Sequence, residues 1–179
     1  MKKLKLPKVL FLTMAGLLLS SLIWAQGDKS SRPSPPATAN GKVGAATITI
    51  NYSSPSVKGR TILGSLVPYD KVWRAGANEA TIFETDKPIK LEGKSLAAGK
   101  YSLFATPGEK EWTIILNSQT GQWGIKQGGE ANRDLAKDVL TVKVKSKTVS
   151  DSREKLVYTI NNKGFVLAWD KFEVPVSIQ

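Results

Sequence analysis

The feature that most restricts this chain is a succession of short segments with a two-residue period, one after another with tight turns between them. ATITINY (Ala46–Tyr52) places Ile48, Ile50 and Tyr52 on one face and Thr47, Thr49 and Asn51 on the other. Only an extended strand turns that alternation into one buried and one wet face. ATIFET (80–85), PIKLEG (88–93), KYSLFAT (100–106), EWTIILN (111–117), DVLTVKVKSK (138–147), KLVYTIN (155–161), GFVLAWD (164–170) and FEVPVSI (172–178) follow. EGKS, TPGEKE, NSQTGQ and NNKG connect them and have the composition of hairpin turns. Only GGEANRDLAKDV (128–139) has helical character. Such a chain predicts an all-β fold, a single antiparallel β-sandwich of immunoglobulin-like or jelly-roll-like form, with Pro175 marking an edge strand.

The amino-terminal quarter reads differently. Lys2, Lys3, Lys5 and Lys8 precede an apolar stretch from Val9 to Ala25, the pattern of a cleavable export signal over residues 1–25. Residues 26–40, QGDKSSRPSPPATAN, are rich in serine and proline and read as a flexible tether. The sandwich is then expected over 41–179. The reading predicts an exported protein, periplasmic or secreted, with no transmembrane domain in the mature chain.

Composition restricts the chemistry further. The chain has neither cysteine nor histidine, and Met1 and Met14 both lie in the leader. Disulfides, zinc or copper sites with nitrogen and sulfur ligands, and Ser-His or Cys-His catalysis are excluded. No metal site or cofactor is expected, since acidic loops lack EF-hand spacing and the glycines lack a P-loop lysine. Of 26 basic residues four belong to the leader, leaving 22 against 15 acidic ones. That balance suits acidic partners, but no basic run is dense enough for nucleic acid.

Three places could bind something. In KVWRAGANEATIFET (71–85), Arg74 could clamp an anion, Glu79 accept a hydrogen bond or act as a base, Asn78 anchor a polar group and Trp73 form a stacking wall. The same residues could instead form a structural corner, with Arg74 paired to Glu79 beneath Trp73 and Asn78 closing a turn. In NYSSPSVKGR (51–60), Lys58 and Arg60 flank Gly59 in a loop and could present two cations, or simply be solvated. Trp123, in the glycine-rich GQWGIKQGG stretch, is the tryptophan best placed for exposure, whereas Trp112 and Trp169 lie in apolar strands and read as core.

Several stretches together resemble a known exported bacterial family, domain of unknown function 2911. They are ITINYSSPSVKGRTILGSLVPYDKVWRAGANEAT, LAAGKYSLFATPGEKEWTIILNSQTGQWG and DVLTVKVK. The resemblance implies an exported β-sandwich and carries no catalytic residues. This chain departs from the family pattern after QWG, where Ile125 and Lys126 stand in place of an aromatic. The functional expectation is a non-catalytic cell-envelope module that binds a glycan, a lipid headgroup or a protein. The alternatives are a His-free hydrolase or isomerase working through Glu79 and Arg74 with Lys100 or Tyr101, and a purely structural envelope protein.

Overall fold

The computed structural model describes residues 28–179; the leader lies outside them. The chain divides into two units, Met1–Arg32 and Pro33–Gln179. Of the first, only the end is described: Asp28 caps a 3-10 turn over Lys29–Ser31, its carboxylate accepting the Ser30 N–H at 2.9 Å.

The second unit is all β. Its strands are β1 (Pro36–Val43), β2 (Ala46–Ser53), β3 (Thr81–Thr85), β4 (Ile89–Leu91), β5 (Lys94–Leu96), β6 (Gly99–Thr106), β7 (Glu111–Asn117), β8 (Asp138–Lys145), β9 (Lys147–Asn161) and β10 (Gly164–Ser177). A six-stranded antiparallel sheet runs β1-β2-β3-β6-β7-β8. The second layer is the β9–β10 hairpin, and the small β4–β5 hairpin joins its edge. There Lys90 and Gln179 exchange both main-chain hydrogen bonds, at 2.7 and 2.9 Å. β10 is not straight. Asp170, at φ 46°, sits between two register shifts, and the strand bends until the Ile178 N–H reaches the Lys163 carbonyl at 2.8 Å.

The alternation read from the sequence faces inward as expected. Ile48 and Ile50 of β2, Leu103 of β6, Trp112 and Ile114 of β7, and Leu167 and Trp169 of β10 meet in one buried core. Burial of this apolar surface is the main favourable term, at about 25 cal/mol per Å² removed from water.

Three differences from the sequence expectation have physical causes. β1 starts at Pro36, inside the stretch whose composition reads as a tether, because the ladder with β2 pairs its backbone from Pro36 to Val43 whatever the side chains are. The stretch with helical character forms only a 3-10 turn at Leu135–Lys137. Its Gly128 and Gly129 take positive φ values of 102° and 90°, which no helix can include. β9 also starts well before Lys155, because the polar Lys147–Glu154 stretch is carried by pairing with β10.

The outer face of the six-stranded sheet is not bare. Phe104 of β6 and Ile115 of β7 point away from the main core and form a second buried cluster with Ala80, against which Val72 and Ala131 pack. Loops from two distant parts of the chain therefore cover this face, and they carry the candidate site.

Candidate functional site

The first of these loops is an excursion from a single strand. Trp73 pairs with Ala105 of β6, exchanging hydrogen bonds at 2.7 and 2.9 Å, and Thr81 pairs with Leu103 of the same strand. Arg74–Ala80 is what loops out between these two anchors. Ala75 and Asn78 make the turn possible by adopting left-handed backbone, at φ 52° and 58°, which costs an alanine on the order of 1–2 kcal/mol. Buried hydroxyls hold the strained peptide: the Ala75 carbonyl accepts from Tyr158 at 2.7 Å and from Thr81 at 3.0 Å. Asn78 is tied by its side-chain amide to the Ser34 carbonyl at 2.9 Å.

The second loop is the Gly-rich segment. The Ala80 N–H donates to the Gln122 carbonyl at 3.1 Å and the Gly124 N–H to the Asn78 carbonyl at 3.0 Å, with Glu79 bridged to Trp123 between them. Trp123 itself is 48% exposed. The chain then makes a small hairpin, Ile125 opposite Ala131. Further on, the Asn132 N–H returns to the Gly124 carbonyl at 3.0 Å.

Between these loops and their surroundings lies a cleft of about 960 Å³. Its wall includes Trp73, whose ring stacks on that of Trp169 with centroids 6.1 Å apart and planes 19° from parallel. The Trp73 indole N–H donates to the Gly76 carbonyl at 3.1 Å. Arg74, Arg133, Arg60, Lys71 and Lys126 contribute five cations to the lining, against the carboxylates of Asp70 and Glu130.

Two of the arginines are unusual. Arg74 makes one long hydrogen bond, from Nε to the Gly76 carbonyl at 3.4 Å. Its Nη1 is covered and has no acceptor among the described residues. Burial pulls the guanidinium below its ordinary pKa, the direction expected when a cation loses water without gaining a counter-charge. Arg133 pairs through Nη2 with Asp138 at 3.1 Å, with its side chain only 13% exposed, while its Nε and Nη1 are covered and unpartnered. Covered donors without an acceptor are costly, at about 1–3 kcal/mol each and more for charged groups.

The structure brings together some of the sequence candidates and separates others. Trp73, Arg74, Asn78 and Arg60 line the cleft. Lys58, Glu79 and Trp123 do not. The two-cation loop is divided because Arg60 folds back on its own loop, Nε to the Val57 carbonyl at 3.0 Å and Nη2 to the Ser56 carbonyl at 2.6 Å. Lys58 instead sits at φ 48°, its N–H on the Glu154 carboxylate at 3.0 Å. The Arg74–Glu79 pair of the structural-corner reading does not form, since Arg74 makes no ion pair among the described residues. Lys100 is engaged by Glu84 at 3.2 Å and Tyr101 by the Ala97 carbonyl at 3.1 Å, so the hydrolase residues are not assembled in this cleft. Sequence reasoning missed Arg133, Lys71 and Lys126. Arg133 sat in the stretch given helical character, and no local pattern links it to Arg74.

A family model described as a protein of unknown function (DUF2911) matches residues 34–178. The chain belongs to the DUF2911 family. No curated protein and no solved structure matches it. In this DUF2911 chain Ile125 and Lys126 stand where the small hairpin begins. Ile125 and Lys126 both line the cleft, and the Lys126 N–H donates to the Glu130 carbonyl at 2.8 Å. The described residues contain no group of three or more acidic side chains able to hold a metal ion, and no helix among them is long and apolar enough to cross a membrane.

Proposed function

We propose that this is an exported, non-catalytic binding module of the cell envelope whose cleft takes an anionic group. The observation that supports the reading most is the pair of guanidinium groups, Arg74 and Arg133, lining one cleft with covered donors that no described residue accepts from. A carboxylate or phosphate supplies two acceptors in the plane of a guanidinium and matches such donors better than any neutral ligand. Lys71, Lys126 and Arg60 add to the positive field at the mouth. An acidic glycan and a lipid headgroup both satisfy this requirement. These donors are covered in the structure, so an anion reaches them by displacing what lies over them.

The test is the thermal stability of the full chain with increasing methyl phosphate or glucuronate, against methyl glucoside as the neutral control. Binding to the folded state raises the melting temperature with ligand concentration. The anions are expected to raise it, and Arg74→Met or Arg133→Met to abolish the rise. No rise with either anion, or an equal rise with the neutral sugar, overturns the reading.

A further inference from the structure

Two large apolar side chains stand exposed at this cleft. Leu135 is 71% exposed and Leu66 is 46% exposed, and both belong to its lining. Neither is there because its loop is loose. Leu135 opens a 3-10 turn whose Asp134 cap accepts the Ala136 N–H at 3.1 Å. That turn is tied to β7 and the residue following it, Asn117 Nδ2 donating to the Asp134 carbonyl at 2.7 Å and the Ser118 N–H to the Lys137 carbonyl at 2.9 Å. Leu66 lies beside Val67, which is buried together with Ile62 and bonded to it through the main chain at 2.9 Å. The fold thus holds both leucines out at the rim while buried neighbours and hydrogen bonds fix their backbones.

Resting on the anion-binding reading, we infer that the ligand is a single-chain anionic amphiphile, with its head toward Arg74 and Arg133 and its apolar chain against Leu66 and Leu135. Charge and apolar surface select this occupant together. Five lining cations exceed the two lining carboxylates and the Asp138 that pairs with Arg133, and this positive excess calls for an anion, while a free inorganic anion gives the leucines nothing to pack on. A sugar is poorly served, because the Trp73 ring is stacked against Trp169. The exposed indole, Trp123, lies outside the lining. An apolar chain laid over the two leucines removes their surface and its own from water in one step, a gain of at least about tenfold in affinity.

The experiment measures affinity by titration calorimetry on the full chain, with every amphiphile below its micelle-forming concentration. The probes are dodecyl phosphate, methyl phosphate, dodecyl maltoside and a glucuronate oligomer. Dodecyl phosphate is expected to bind at least about tenfold more tightly than methyl phosphate, and dodecyl maltoside not to bind. The exposed double variant Leu66→Ser with Leu135→Ser should remove the chain-length advantage and leave methyl phosphate affinity unchanged. Equal affinity for the two phosphates, or preferred binding of glucuronate unaffected by the leucine variant, overturns the amphiphile while the anion site stands. Equal binding of dodecyl maltoside overturns the anionic head. If no anionic probe binds, both readings fall.

Discussion

Gly124 lies directly against the stem of Arg74: a methyl group at Gly124 would come within 2.8 Å of Arg74 Cβ and 3.0 Å of Cγ, and closer still to Cδ. The main-chain bond from Gly124 to Asn78 keeps the two loops at this separation. Gly124→Ala therefore cannot be absorbed by swinging the far end of the arginine alone. It is expected to destabilise the fold by about 1–3 kcal/mol, the usual cost of overpacking, and to displace the guanidinium. Melting temperature and methyl phosphate affinity measured together check this, and unchanged values for both would show that the loops give way freely.

Arg74→Met separates a ligand-binding role from an architectural one. The substitution removes one long hydrogen bond and a covered, unpartnered N–H, and keeps the apolar stem against Gly124. Stability should stay level or rise, by up to about 1–3 kcal/mol, because the covered donor is relieved and only a long hydrogen bond is lost, whereas anion binding should be lost. Chemical denaturation followed by tryptophan fluorescence reads the first and calorimetry the second. A loss of several kcal/mol would return Arg74 to a structural role.

The buried Tyr158 hydroxyl couples the site loop to the second layer through the Ala75 carbonyl. Tyr158→Phe should cost about 0.5–1.5 kcal/mol, since Thr81 still donates to that carbonyl.

Tyr158 also sets a pH dependence. Burial, and secondarily the neighbouring Tyr52, raise its pKa well above the ordinary value of 10.0. The folded state thus keeps it protonated at pH values where the unfolded chain ionises it. Its contribution is complete below about pH 10 and is lost as pH rises from there toward the raised value. The stability of the native chain should fall on the alkaline side more steeply than that of Tyr158→Phe, as denaturation midpoints between pH 8 and 11 would show. Parallel curves would contradict the assignment.

Asp86 acts at the other end of the scale. Its carboxylate accepts the Thr47 N–H at 2.7 Å, and that bond holds its pKa below the ordinary 3.8. The associated stability is present above the ordinary value and is lost as pH falls through the depressed one. Asp86→Asn should therefore lower stability modestly at neutral pH and flatten the acid limb below about pH 4, as denaturation midpoints measured between about pH 2 and 7 would show.

The strands were legible because a half-buried sheet imposes a period of two on its own sequence. Ile48 and Ile50, or Leu140, Val142 and Val144, declare their inward face without reference to any partner. Trp112 and Trp169 were readable as core for the same reason. β1 was not legible, since its Ala39 and Gly41 bury too little surface to stand out from a linker. The WRAGANE segment was recognisable as special, for a small-residue run between an aromatic and a strand is where a chain can leave a ladder and rejoin it.

The sequence by itself determined an all-β chain without histidine, cysteine or the chemistry they support, because composition and local periodicity are properties of the chain alone. The tertiary structure decided that Arg74 would share a cleft with Arg133 instead of pairing with Glu79, and that Trp123 would fall outside it. Those outcomes depend on backbone hydrogen bonds between Asn78–Ala80 and Gln122–Gly124. Main-chain groups are common to every residue, so the pairing that joins two distant loops leaves no side-chain pattern to read in advance.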